Sequence, residues 1–342
     1  MRRFVQMLGA GLVLAGLCLS LWWGLLAQGQ EAAMAAWFAD RRGDGWQAEH
    51  GEISVAGFPL RLDRRIEAIA LADPEAGWSW QLPEVAVSGH ALAPTEIAIA
   101  LPAQHRLAVP GERVEIAHEA LTASLALAPG GALTLREAML RGRKLRLSAQ
   151  SGWVADAVSL QADIVQRPPE AGPENSYNLR IEAVEMAIPK PVLAAIDPTG
   201  LLEAVVNRAL FEGHAAFSDP LDRFALEDGR LALAQASIRV ARLDWGEVAV
   251  EARGSFLVDP AGYPEGKIKL KLRNWRRMLA VARESERVPG EVVDAVEQAL
   301  GFVALLAGGD AELDVPLDMA GGKLRIGPVT VADLPRVGLE RR

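Results

Sequence analysis

Five histidines, His50, His90, His105, His118 and His214, are the natural starting point for any metal or proton chemistry. None stands in a metal-binding pattern with a second ligand type, and a surface or strand-edge position is the expectation for each. There is no Gly-x-Ser-x-Gly elbow, no phosphate loop with Gly-Lys-Ser/Thr, and no dinucleotide fingerprint after a strand. Acidic residues are scattered, and no pair qualifies for acid–base work. The sequence therefore nominates no catalytic residue, no metal site and no cofactor, and it reads as a non-enzymatic protein.

Other residues could bind rather than react. Trp78 and Trp80 are two apart on one strand, so both side chains share a face. They are read either as core or as one wall of an apolar groove. Ile97, Ile99, Leu125 and Leu127 are the other candidates for that groove. Gly57-Phe58-Pro59 punctuates two strand segments, with a bulge and a fixed φ as its plain role. Asp63 with Arg61, Arg64 and Arg65 reads as a solvated charge cluster. Lys267, Lys269, Lys271 and Arg273 form a basic stripe opposite Ile268, Leu270 and Leu272. It is either the solvent face of a strand, with an edge guarded by Lys, or an attraction point for acidic headgroups.

The elements that must position these residues begin with an uncharged run, Phe4 to Ala27. A helix of about 24 residues is roughly 36 Å long, enough to cross a ~30 Å hydrocarbon core. Phe4, Leu8, Leu12, Leu19 and Leu26 mark this run. Arg2 and Arg3 precede it and the next basic residues are Arg41 and Arg42, which puts the N-terminus in the cytoplasm and the body outside. Trp22 and Trp23 fall near its exit side. A cleaved signal peptide is the competing reading, since Ala27-Gln28-Gly29 has the shape of a cleavage site, but a signal core is usually shorter. Residues 1–29 are thus the cytoplasmic stub and transmembrane anchor, and 30–342 the body. Cys18, the only cysteine, lies mid-span, so the body has no disulfide.

The chain of 342 residues is 50% hydrophobic and carries a net charge of −8. An acidic balance argues against nucleic acid as a partner. Gln30 to Asp40 is Ala-rich and helical by propensity, and Asp44-Gly45 breaks it. After it the hydrophobic period changes to two. Short apolar alternations recur every ~8–12 residues with turn signals between them, the pattern of a meandering antiparallel sheet. Leu60-x-Leu62, Ile66-x-x-Ile69-x-Leu71, Leu145-x-Leu147 and Phe224-x-Leu226 are among the expected strands. Gln166 to Ser176 is either a boundary between two halves or a long exposed loop. Pro189 to Glu212 reads as mainly helical, with Leu201, Leu202, Val205, Val206, Ala209 and Leu210 as its apolar face. Helices are also expected over 275–287 and 290–307, and the last strand is expected to end between Pro328 and Val331. In Ile97–Leu101 and Leu125–Leu127 the alternate face carries Ala rather than charge. That implies either helices over it or a lipid-wettable surface. The fold class is α+β: mainly β with some α, a long curled antiparallel sheet packed on a few helices, preceded by one transmembrane helix.

Three stretches carry a resemblance. Gly51-x-Ile53-x-Val55-x-Gly57-Phe58-Pro59-Leu60-Arg61-Leu62 resembles the opening of an uncharacterised family of membrane-anchored alphaproteobacterial proteins. Leu257-x-Asp259-x-x-Gly262-x-x-x-Gly266-x-Ile268 with Asn274-Trp275 resembles its middle. Leu324-x-Ile326-Gly327-Pro328-Val329 through Leu334-Pro335 resembles its close. That family has only a domain-of-unknown-function label, so the resemblance implies a location and a fold but no reaction. More loosely, the Gly-x-Ile strand before an Asn-Trp helix start resembles periplasmic proteins of the AsmA type, which are associated with envelope assembly and phospholipid traffic.

These readings converge on a bacterial inner-membrane protein with a periplasmic body. The expected function is to hold or pass a phospholipid or other apolar ligand along a sheet groove. The alternative is a scaffold for envelope proteins, with a fully packed core.

Overall fold

The computed structural model describes residues 2–228, 231–285, 287–307 and 312–337; of residues 2–16, 226–228 and 307 only the backbone is described. The chain divides into two compact units. The first runs to Ala126 and takes in Ala149–Ser151; the second comprises Leu127–Ser148 and the chain from Gly152 on.

The first unit opens with one unbroken helix, α1 (Arg2–Gly43). The apolar run and the Ala-rich stretch expected after it are one element of 42 residues, about 63 Å at the usual rise. It stops where expected. Gly45 takes φ 89°, its N–H donates to the carbonyl of Arg42 and the N–H of Trp46 to that of Arg41. A left-handed residue closing the last turn is the common way a helix ends.

Eight strands follow in this unit: β1 (Gln47–Glu49), β2 (Ile53–Ala56), β3 (Asp63–Asp73), β4 (Trp78–His90), β5 (Ala93–Ala100), β6 (Gln104–Val109), β7 (Glu112–Ala117) and β8 (Ala120–Leu127). β3 pairs antiparallel with β1, β2 and β4; β4 with β5 and β6; β5 with β8; and β6 with β7. Phe38 of α1 packs on Ala48, Ile66, Ile69, Leu82 and Val85 to form this unit's core.

The second unit is a meander of ten antiparallel strands: β9 (Leu135–Ala149), β10 (Val154–Gln166), β11 (Ser176–Ala187), β12 (Val205–Phe217), β13 (Leu233–Trp245), β14 (Val248–Val258), β15 (Pro264–Arg273), β16 (Glu312–Ala320), β17 (Lys323–Ile326) and β18 (Val329–Asp333). Each pairs with the next in sequence. Four helices interrupt the meander: α2 (Lys190–Ile196), α3 (Arg223–Asp228), α4 (Trp275–Glu284) and α5 (Gly290–Ala307). The core lies where α4 and α5 meet the sheet. Trp275, 1% exposed, packs there among Leu272, Leu300, Ala304, Leu313, Val315, Ile326 and Val331.

The strands are longer than the sequence pattern suggests. Trp78–Leu82 and Val85–Val87, expected as two strands, are both β4, and Gly142 falls inside β9. In β9 the inward residues change parity, from Ala138 and Leu140 to Leu145 and Leu147. The change comes at Lys144, which takes φ 48°. Across β10, Glu185 of β11 takes φ 49°, and both pairings step over Val158. Ala68, at φ 48°, does the same between Ile66 and Ile69 of β3. One residue with positive φ turns the following side chains to the other face without ending the strand, so a change of phase looks like a break in the sequence.

Four other expectations are corrected. Pro189–Glu212 is helical only over α2. Asp197 ends that helix by accepting N–H groups of Thr199 and Leu202, and Val205 to Leu210 belong to β12, paired on both sides. The β-branched Val205-Val206 pair and two flanking strands outweigh a helical spacing. Phe224 and Leu226 lie in α3, where Asp222 accepts the N–H of Ala225 at 2.9 Å as an N-cap. Leu60 lies in a turn, and Arg61 makes a single bridge to His90. Of the two readings of Gln166–Ser176, the exposed loop holds: it joins β10 to β11 inside the second unit. Gly327-Pro328 is the turn between β17 and β18, not a terminus.

β14 and β15 approach closely at a glycine on each strand, Gly254 opposite Ile268 and Gly266 opposite Phe256. A Cβ on Gly266 would sit 2.2 Å from the Ser255 carbonyl oxygen and 2.6 Å from the Phe256 Cα, while nothing lies within 4 Å of one on Gly131. Gly266→Ala is therefore expected to lower the urea midpoint of the full chain by an amount worth about 1–3 kcal/mol, the usual cost of overpacking. Gly131→Ala should leave it within about 0.5 kcal/mol. Equal effects of the two substitutions would contradict the close approach.

Candidate functional site

Strand parity gives the second unit's sheet two faces of opposite chemistry. On one, charged residues stand directly opposite or diagonal to one another, or two apart along one strand. Arg141 pairs with Asp163; Arg180 with Glu212 and, at 2.6 Å, with Glu182; Arg208 with Glu182; Arg239 with Glu212. Arg242 continues the series to Asp244 at 2.8 Å and Glu251 at 3.5 Å, and Arg253 reaches Glu251 at 2.7 Å. The hydrogen bond from Arg180 holds the Glu182 carboxyl below the usual carboxylate range, and that from Arg242 does the same for Asp244. A cavity of about 400 Å³ opens on this face, lined by Asp163, Asn178, Arg180, Glu212 and Arg239 among others. Each of its charged groups already has a partner of opposite sign. It is a charge ladder in which cations and anions are paired strand to strand.

The basic stripe belongs to the same face. Lys271 meets Glu312 at 2.8 Å and Lys267 meets Asp318 at 3.5 Å. β15 is paired on both sides, so these lysines do not guard an edge, as one sequence reading had it.

The other face is apolar from end to end. Cross-strand partners run Leu140, Ala162, Ile181, Phe211, Ala241, Ala252, Leu270 and Val315, one residue from each of β9 to β16. The next row runs Gly142, Leu160, Ala183, Ala209, Leu243, Val250, Leu272 and Leu313. At the β14–β16 end both rows join the core beneath α4 and α5. At the β10–β12 end they continue, and Ile181 is 52% exposed. An apolar side chain this open, in a continuous apolar row, is the candidate ligand contact.

The groove residues proposed from sequence lie elsewhere. Trp80 and Ile99 pack on the first unit's core with Phe38. Trp78 meets Trp46 edge-on at 5.1 Å. Ile97 pairs with Leu125 across β5 and β8, both half-buried, and Leu127 closes β8. Ala98 and Ala100, on the alternate face, are exposed, so no helix covers that side of β5. Gly57, at φ 101°, Phe58 and Pro59 make the turn into β3, and Gly327, at φ 55°, with Pro328 makes the turn into β18. These motif residues shape turns.

Leu19 and Leu26 are half-buried on α1; Phe4, Leu8 and Leu12 lie outside the residues whose side chains are described. Among the described residues, no helix is long and apolar enough to cross a membrane.

Two arrangements were not legible in the sequence. Arg64, expected in a solvated cluster, is 3% exposed, while its neighbours Arg61 and Arg65 reach Asp63 and Glu84 at the surface. His105 and His118 are also buried, with ring centroids 5.6 Å apart and Trp80 5.7 Å beyond His105. Neither side chain has a third ligand-type neighbour, and among the described residues no group of three metal-ligating side chains occurs.

A family model described as "Uncharacterized protein conserved in bacteria (DUF2125)" matches residues 23–335. The chain belongs to that family. The DUF2125 match runs from Trp23 of α1 through β18, so it takes in both units and all three stretches that carry the resemblance. No curated protein and no solved structure matches the chain.

Burial lowers the pKa of both His105 and His118 from the ordinary 6.5. A base depressed in the folded state binds its proton more readily when unfolded, so stability falls as pH drops below about 6.5. Thermal unfolding between pH 7.5 and 5 should show that loss, and His105→Phe should flatten it. A profile unchanged by the substitution would assign the acid sensitivity to other groups.

Proposed function

We propose that this protein is a non-enzymatic component of the bacterial cell envelope that binds or passes phospholipid along the open apolar face of its second unit. In this reading α1 holds it in the inner membrane, with the N-terminus cytoplasmic and the body periplasmic. The observation that carries the reading is the pair of apolar rows that continue beyond α4 and α5 to an open Ile181. Apolar surface of this extent is unfavourable in water and favourable against an acyl chain, at about 25 cal/mol for each Å² covered. The opposite face is closed to such a ligand by its charge ladder, so only one side of the sheet offers contact.

The orientation rests on Arg2 and Arg3 before the apolar run and on Trp22 and Trp23 at its far end. The resemblance of the β14–α4 region to AsmA-type envelope proteins points the same way, by analogy of fold alone. A second reading has its own observation. Phe302, Leu305 and Leu306 stand exposed on α5, the kind of patch a protein partner covers. An envelope scaffold would use that face.

Native mass spectrometry of the full chain, extracted in a mild detergent from a bacterial envelope, separates the two. The lipid reading expects adducts at phospholipid masses, with Ile181→Glu removing them at unchanged circular dichroism. A charge at Ile99 would be uninformative, because that residue packs on a core. Adduct-free wild-type protein would overturn the lipid reading.

A further inference from the structure

Arg64 is a cation buried on an apolar wall. In β3 it stands opposite Val87 of β4, which stands opposite Ile99 of β5, so the three share one face of the first unit's sheet. The next row on that face holds Gly89 and Ile97. The head of Arg64 lies over Gly89: a Cβ there would come 3.7 Å from both terminal nitrogens. Among the described residues, Nε and Nη2 have no hydrogen-bond partner. Asp63, the carboxylate whose field acts on it, is taken by Arg61, with both its oxygens accepting at 2.9 Å.

A guanidinium cannot discharge itself at any pH a protein survives. Buried without a counter-charge, it costs several-fold more than a surface pair returns. Burial accordingly pushes its pKa down from the usual arginine value, against the field of Asp63. An oxyanion with two or more acceptor oxygens would satisfy the unpaired nitrogens together.

The surroundings select the kind of oxyanion. Leu62 donates its N–H to the Gly89 carbonyl at 3.0 Å, and Ala91 donates to Leu60 at 2.8 Å, so Gly89 adjoins the Gly57-Phe58-Pro59 corner. That corner exposes Phe58, Leu60 and Leu92, the last at 69%. Trp23 of α1 holds it, with its ring edge-on to Phe58 at 5.7 Å and its Nε1 donating to the Arg61 carbonyl at 2.8 Å. An apolar, Trp-bearing rim beside a buried cation is matched by a molecule with a phosphate and acyl chains close together.

We propose that Arg64 is an anion-binding residue that takes the phosphate of a phospholipid headgroup, with Phe58, Leu60 and Leu92 against the lipid's apolar part. The assignment of the phosphate to a lipid rests on the lipid-handling reading above; the need for an anion does not.

The test is thermal unfolding of the full chain in non-ionic detergent at fixed ionic strength. The additives are dihexanoyl phosphatidylglycerol, inorganic phosphate and chloride. For the wild type, the short-chain lipid is expected to raise Tm by about 5 °C at ~100-fold excess over Kd, with a smaller rise from inorganic phosphate. Arg64→Met should abolish both shifts and melt above the wild type without ligand, since it removes an unpaired buried charge. Arg64→Lys should keep part of the shift. Equal shifts in wild type and Arg64→Met, or no shift beyond chloride in the wild type, would overturn the proposal. If phospholipid adducts persist while Arg64→Met leaves their headgroup distribution unchanged, this site fails and the open-face reading stands. If adducts are absent but inorganic phosphate shifts the wild type and not Arg64→Met, the open-face reading fails and the anion site stands.

Discussion

In the second unit, the face a residue occupies is fixed by which partner it has across the ladder. Ile181 stands opposite Ala162 and Phe211; Glu182, one residue on, stands opposite Gln161 and Leu210. A slip of one residue in β11 would carry Glu182 onto the apolar face and Ile181 among the arginines, and would do so for every residue of the strand. Register therefore decides the two chemistries together. The apolar rows accept α4 and α5, and the opposite rows hold cations and anions in alternation. The same constraint explains the positive φ of Lys144 and Glu185. Both lie in the row of Val158, so neighbouring strands change parity at one level and the faces remain continuous across it.

What could be read from the sequence followed from how local the cause was. α1, α4 and α5 were legible because length, period and a terminating Gly or Asn-Trp step are local signals. Asn274, in the left-handed region, turns the chain from β15 into α4 and donates through its side-chain amide to the Glu247 carbonyl at 2.7 Å. That is why the Asn-Trp pair marks a helix start and sends Trp275 inward. β12 was not legible, since Leu201 to Leu210 fits a helix face as well as a strand, and only β11 and β13 on either side decide it. Strand lengths were hidden because a parity change and a turn leave the same trace in an apolar pattern.

The site residues divide in the same way. Nothing local distinguishes Arg64 from Arg61 and Arg65 in Arg-Leu-Asp-Arg-Arg. Arg61 and Arg65 find carboxylates at the surface, while strand parity carries Arg64 into the row of Val87 and Ile99. Trp80 and Ile99, read from sequence as candidate groove wall, pack on a core with Phe38 and Met34 of α1, a contact between residues far apart in the chain. His105 and His118 meet through the pairing of β6 with β7, which brings the start of β6 beside the loop that follows β7.

The composition of the apolar rows bears on why a sheet can leave part of them open. Beneath α4 and α5 the rows carry Leu270, Leu272, Leu313 and Val315, large side chains that fill the space between helix and sheet. Toward β10–β13 the same rows carry Ala162, Ala209 and Ala241, half-buried, between the larger residues, while Ala183 is buried. Alanine presents little apolar area, so an uncovered stretch built from it costs far less in water than one built from leucine. It also leaves the surface low between Leu160, Ile181 and Phe211, where a chain of methylenes could lie against several side chains at once. A sheet meant only to receive a helix would gain by filling those positions, as it does under α4 and α5. Alanine there trades packing for an apolar surface that stays tolerable in water, and under the lipid-handling proposal that compromise would suit a transient occupant better than a permanent cover.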